Sequence, residues 1–185
     1  DAEAYAAAAL GLRIAVNIPG RDLADPRLPD RIRGLLARHD GVSPDVLTLE
    51  ITENGLAGTP EAGARLTALR EAGVRVSLDD FGTGFAPLST LRTLPVDEIK
   101  IDRSFVRTID RVERDAALTG ALVRLGHDLG LRVVAEGIER QEIAEQLAAL
   151  GCDLLQGFHL GRPAAIDELV ALTALRSAKA VPARS

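Results

Sequence analysis

Methionine and tryptophan are absent from this chain of 185 residues, and tyrosine, phenylalanine and cysteine number only 1, 4 and 1. Leu, Val, Ile and Ala must therefore fill the core. A single cysteine, Cys152, excludes an internal disulfide and a cysteine-rich zinc site, and fits a reducing cytoplasm. No apolar run approaches the ~18 residues of a membrane span. The start, Asp1 to Leu12, carries acids where a signal peptide would be basic. Lacking an initiator Met as well, the chain reads as a piece of a longer protein. Basic charge is also short. With a net charge of −5 and a pI near 5.3, the chain has no basic stripe for DNA or RNA. If it handles a phosphate ester, cations must offset the repulsion.

What is present suits one globular domain. The length allows a sizeable core, and 46% apolar with 26% charged residues is ordinary. Short β-branched runs recur at Leu12 to Val16, Val46 to Ile51, Val74 to Leu78, Glu98 to Ile101, Leu131 to Ala135 and Asp153 to Leu155. Helical stretches separate them, which argues parallel strands in βα units. Thr59-Pro60-Glu61 reads as a helix start, leading a face of Ala62, Leu66, Leu69 and Ala72 that stops at Gly73. A second helix is expected from about Arg111 to Leu129, with Ala117, Ala121, Leu125 and Leu129 as its stripe. A third spans Gln141 to Leu150 and ends at Gly151.

Polar residues collect at the C-terminal end of every strand. In order they are Asn17; Glu50 and Glu53; Asp79-Asp80; Lys100 and Asp102; Glu136 and Glu139; and Gln156. A (β/α) barrel builds its site at that end from several strands at once, whereas an open doubly wound sheet uses one switch point. The expected fold is thus α/β, a TIM-like barrel. Eight strands usually take about 250 residues, so roughly the first two are unaccounted for. The barrel portion is placed at residues 1–175, with 176–185 as a tail or linker.

Asp79-Asp80 closes an apolar strand and meets a glycine-rich turn, Phe81-Gly82-Thr83-Gly84. Neighbours on a strand point to opposite faces, so both carboxylates reach one site only if the chain bends there, a freedom the glycines can supply. Paired acids on such a turn suit a divalent metal, though Asp also serves as a helix cap or turn former. Lys100, between Ile99 and Ile101, is either a surface lysine or an ammonium buried at the site. Glu53 and Gln156 could equally be plain strand-end groups. His39, His127 and His159 lack ligand spacing.

Taken in order, these strand ends resemble the EAL-domain family of bacterial cyclic di-GMP phosphodiesterases. The likeness runs from about Leu12 to about Leu172. It rests on Val16-Asn17, on Leu49-Glu50-Ile51-Thr52-Glu53, and on Asp79-Asp80-Phe81-Gly82-Thr83-Gly84-Phe85. Leu94-Pro95-Val96-Asp97-Glu98-Ile99-Lys100-Ile101-Asp102, Val134-Ala135-Glu136-Gly137-Ile138-Glu139 and Leu155-Gln156-Gly157-Phe158 complete it. The resemblance implies a hydrolase using two Mg²⁺ or Mn²⁺ ions to open cyclic di-GMP to linear pGpG. It implies Asn17, Glu50 and Asp79 on one ion, with Asp79 bridging to a second held by Asp80, Glu136 and Glu139. Oxygen donors of this kind suit such hard ions. Lys100 would stabilise the attacking water or the developing phosphorane charge, and Glu136 is the candidate base. Glu53 would anchor the glycine-rich loop, and Gln156 would contact substrate or water. A homodimer and attached sensory or cyclase domains are further implications.

The Glu-Ala-Leu that names the family is not in this sequence, and its place is expected before Asp1. Hence the rival reading: a catalytically impaired module that binds cyclic di-GMP or a partner protein. A one-metal barrel enzyme with a lysine base would want single acids on successive strands instead of an adjacent pair. A kinase reading of Asp80-Phe81-Gly82 fails for want of a His-Arg-Asp loop.

Overall fold

The computed structural model describes residues 12–39, 41–57, 61–83, 91–165 and Glu168. Its six strands are β1 (Ile14–Asn17), β2 (Leu47–Thr52), β3 (Arg75–Phe81), β4 (Glu98–Ile101), β5 (Arg132–Ala135) and β6 (Leu154–Leu155). They form one sheet in chain order with every neighbouring pair parallel. Parallel neighbours in sequence order oblige each connection to cross back over one face, and that topology curls into a barrel. The result is a half-barrel whose open edges are β1 and β6. Each expected strand is present; the largest difference is β3, which runs on to Phe81.

The helices among the described residues are α1 (Gly20–Leu23), α2 (Leu28–Leu36), α3 (Glu53–Ala57), α4 (Ala62–Glu71), α5 (Arg103–Val106), α6 (Glu113–Asp128) and α7 (Gln141–Leu150). They cover the outer face of the sheet. Leu49, Ile51, Val76, Leu78, Ile99, Ile101, Val133 and Ala135 point into that layer, each at most 1% exposed, and meet Leu66, Leu69, Val123, Ile143 and Leu147. Each large side chain buried this way contributes about 1.5–3 kcal/mol. The alternate positions face the lumen, and there Thr48, Glu50, Ser77, Glu98 and Lys100 are buried although polar. Both faces being covered, the central strands show no alternation of burial: β4 is buried at all its positions.

One expectation is corrected. The predicted stripe of α6 is only in part its packed face: Leu125 packs against the core, but Ala117, Ala121 and Leu129 are exposed, while Thr119, Gly120, Val123 and Gly126 are buried. A Cβ on Gly126 would meet Ile99 Cδ1 at 3.0 Å and collide with Val133. Gly126 thus lets the helix approach the sheet closely, and Ala116, Leu122, Val123 and Leu125 pack beside it, a face turned from the predicted stripe. In α4, Leu66 and Leu69 are buried as expected, but Thr59-Pro60 lies outside the described residues. So does the expected tail. α7 has its predicted bounds and ends at Gly151, which takes the left-handed conformation at φ 93°.

Candidate metal centre

The pairing of β3 with β4 shifts register between Leu78 and Phe81. Within that irregularity Asp80 takes φ 56°, the single positive value for a non-glycine among the described residues. The bend expected of the glycines is thus made by Asp80 itself, ahead of Gly82. Asp is among the few residue types that enter this region, and here the Asp80 backbone N–H is held by the side chain of its neighbour, donating to Asp79 Oδ1 at 2.9 Å. The Thr83 hydroxyl donates to the Asp80 carbonyl at 2.8 Å. Glu53, buried at the start of α3, accepts the Gly82 N–H on Oε1 at 3.1 Å. With the turn so held, Asp79, Asp80 and Glu136 bring carboxylate oxygens within 4.8 Å of one another.

Lys100 projects into this cluster from β4 and is 3% exposed. Its Nζ lies 2.8 Å from Glu50 Oε1, 2.5 Å from Glu136 Oε1 and 3.4 Å from Asp79 Oδ1. Burial opposes its charge, but hydrogen bonds to Glu136 and Glu50 outweigh burial and push its pKa above the ordinary lysine value. Glu136 moves up as well: burial, with the charges of Asp79 and Glu50, exceeds the pull of Lys100. Burial, Asp79 and Asp102 likewise raise Asp80. Four carboxylates face one ammonium, an excess of three negative charges when all are ionised. An all-oxygen, over-negative donor set of this kind fits a hard divalent cation.

The remaining predicted residues sit at the rim. Asn17 ends β1 in register with Glu50 and is exposed. Glu139 is exposed, beyond the turn that carries Glu136, and Gln156 is exposed just after β6. The Gln156 N–H donates to the Ala135 carbonyl at 2.9 Å, and its own carbonyl accepts the Ile138 N–H at 3.1 Å. Of the residues singled out from sequence, then, Glu50, Asp79, Asp80, Lys100 and Glu136 converge, while Asn17 and Gln156 lie exposed at flanking strand ends and Glu139 three residues beyond Glu136. Asp102 was read only as a strand-end polar residue with no role in the site, yet its charge reaches Asp80 while its side chain accepts the Ser104 N–H at 2.9 Å and caps α5. Its place two residues beyond Lys100 was the available signal. His127 pairs with Asp153 at 2.9 Å.

A half-barrel of parallel strands with a carboxylate–lysine cluster at its C-terminal end belongs to the TIM-barrel class of enzymes and enzyme-like domains. Within that class the profile of the EAL domain matches residues 3–163, and this chain belongs to the EAL domain family. It is 43% identical over 164 residues to the bifunctional diguanylate cyclase/cyclic di-GMP phosphodiesterase MucR of Pseudomonas aeruginosa, covering 87% of this chain and 24% of MucR. To the cyclic di-GMP phosphodiesterase NbdA of the same organism it is 39% identical over 178 residues, covering 94% of this chain and 22% of NbdA. The chain thus spans less than a quarter of the length of these curated relatives. Among solved structures, the EAL domain of Mycobacterium smegmatis DcpA superposes with a TM-score of 0.86 at 32% identity, over 94% of this chain and 81% of that one. Klebsiella pneumoniae BlrP1, solved with manganese and cyclic di-GMP, gives 0.74 at 36% identity, over 85% of this chain and 41% of that one. Among the described residues no helix is long and apolar enough to cross a membrane.

Proposed function

We propose that this chain is the metal-binding and catalytic part of a cyclic di-GMP phosphodiesterase that opens one phosphodiester bond to give linear pGpG. The observation that carries the reading is the convergence of Asp79, Asp80 and Glu136 around a buried Lys100 that also holds Glu50. Asn17, Glu50 and Asp79 would hold one Mg²⁺ or Mn²⁺, and Asp79, Asp80, Glu136 and Glu139 a second. Such a pair of ions supplies Lewis acidity, readying water and offsetting charge on both the attacking and leaving oxygens. Lys100 keeps the carboxylates from repelling one another apart and presents a fixed cation to the negative charge that grows on the phosphoryl oxygens. Glu136, whose pKa burial raises above the ordinary carboxylate value, would be the candidate acceptor for the proton of the attacking water. Glu53 holds the turn through Gly82, and Gln156 would contact substrate or ordered water. The relatives that carry the activity in their names lend this reading its substrate.

The test is turnover by the full-length protein incubated with cyclic di-GMP and Mn²⁺, resolved by chromatography. Linear dinucleotide should form, and Asp79→Asn should slow it by more than the ~10–100-fold that outer-shell partners of a metal cost. Binding without product would favour a module that only recognises the dinucleotide. Unchanged turnover in Asp79→Asn would remove Asp79 from the site.

A further inference from the structure

The two parts of the carboxylate cluster hang from different strand ends, Asp79 and Asp80 from β3 and Glu136 from β5, with β4 between. Their separation is not set by either turn alone. Helix α5, directly after β4, fills the space behind both. A Cβ added to Gly82 would stand 2.9 Å from the Phe105 ring, so the backbone of the Asp80 turn rests on that ring. Gly137, next to Glu136, has φ 70°, and a Cβ there would collide with Arg103 Cβ. One short helix thus bears on the backbone beside each half of the cluster, through residues two apart.

That helix is itself fixed. Thr119 of α6, fully buried, donates to the Phe105 carbonyl at 3.3 Å, and Val106 is fully buried. Further along the connector, Asp110 takes both terminal nitrogens of Arg140 at 2.6 Å, immediately after Glu139. Gln146 of α7 donates to the Ile109 carbonyl at 3.1 Å.

We propose that the connector from β4 to α6, residues 102–112, is a wedge that sets the spacing between Asp80 and Glu136 for cation binding, with Phe105 and the Asp110–Arg140 pair as its positioning residues. This rests on the metal reading above. Ligand oxygens must be held to about half an ångström for a site to work, and a ring lost behind Gly82 lets the Asp80 turn sink by more than that.

The test measures Mn²⁺ binding to the full-length protein from the loss of the free-ion EPR signal, beside amide exchange at Gly82 in the absence of metal. Phe105→Ala should raise the Mn²⁺ dissociation constant by about tenfold, as outer-shell losses do, and speed exchange at Gly82. Phe105→Leu, which keeps most of the volume and guards against misfolding, should show a smaller rise, and Arg140→Gln a rise of a few-fold. Leu147→Ala, a fully buried change on α7, should lower the melting temperature yet leave Mn²⁺ affinity alone, which separates positioning from general stability. Unaltered Mn²⁺ affinity and Gly82 exchange in both Phe105 variants would overturn the wedge while leaving the metal reading intact. Failure of the unaltered protein to bind Mn²⁺ would overturn the metal reading, and the wedge with it.

Discussion

The central strands β2 to β5 and the edge strands β1 and β6 carry the same kind of sequence and meet opposite surroundings. Both groups are apolar runs ending in polar groups. In the centre, Glu50 and Lys100 are 8% and 3% exposed and lie 2.8 Å apart. At the edges, Val16 and Leu154 are 40% and 45% exposed, and Asn17 and Gln156 stand in the open. A polar strand end becomes a site when a neighbour on each side excludes water, because charges act on one another more strongly where the local dielectric is low. Asn17 is in register with Glu50 but has no strand on its other side among the described residues, so it is only positioned, not enclosed.

The contrast can be broken most forcefully at Lys100. Removing one partner of a buried ion pair costs about 3–5 kcal/mol, and Lys100→Met leaves the carboxylates of Glu50, Asp79 and Glu136 facing each other. Thermal unfolding should show that loss, with added Mn²⁺ recovering part of it. An unchanged melting temperature would mean the centre does not depend on its ammonium.

Next in size is a pair of leucines. Leu69, fully buried against the central strands, should cost about 2–5 kcal/mol when cut to Ala. Leu154→Ala on the edge should stay within about 0.5 kcal/mol. Equal urea midpoints for the two variants would erase the distinction between centre and edge. Asn17→Ala sharpens it instead. Its stability should stay within about 0.5 kcal/mol, while Mn²⁺ affinity measured by calorimetry falls by at least the ~10-fold that losing even an outer-shell partner costs, the mark of a residue that matters to a ligand and not to the fold.

The smallest effect is in acid. Hydrogen bonding to Arg140 holds Asp110 below the usual carboxylate range. Burial pushes Asp153 up, but the Val133 N–H and His127 outweigh it and bring it down. A depressed carboxylate contributes stability above its unfolded pKa and loses it as pH falls through the folded one. Both pairs should therefore hold through neutral pH and weaken below about pH 4. Asp110→Asn should flatten the acid limb of the melting-temperature profile and leave pH 5 to 8 unchanged in slope.

Much of this was legible in the residues. Short apolar, β-branched runs, helix stops at glycine and polar residues at successive strand ends are local signals, and they placed all six strands and every member of the central cluster. What escaped did so for identifiable reasons. The buried face of α6 mixes Thr119, Gly120 and Gly126 with Val123, so small residues that allow close approach blurred the apolar repeat that marks a packed helix. The left-handed turn fell on Asp80 because the β3–β4 pairing slips there, and slippage belongs to two strands at once. The part played by Phe105 depends on Gly82, over twenty positions earlier in the chain.

By itself the sequence determined the order of βα units, the oxygen-rich chemistry at their ends and the family to which they belong, since each follows from residue type and short-range spacing. The tertiary structure decided the rest. It chose which strand ends would be enclosed, turned Lys100 inward among Glu50, Asp79 and Glu136, and set Asp79-Asp80 on one side of a single cluster despite their adjacency. Those outcomes depend on burial and on contacts between distant segments, and both arise only when the strands have paired and the helices have packed on them.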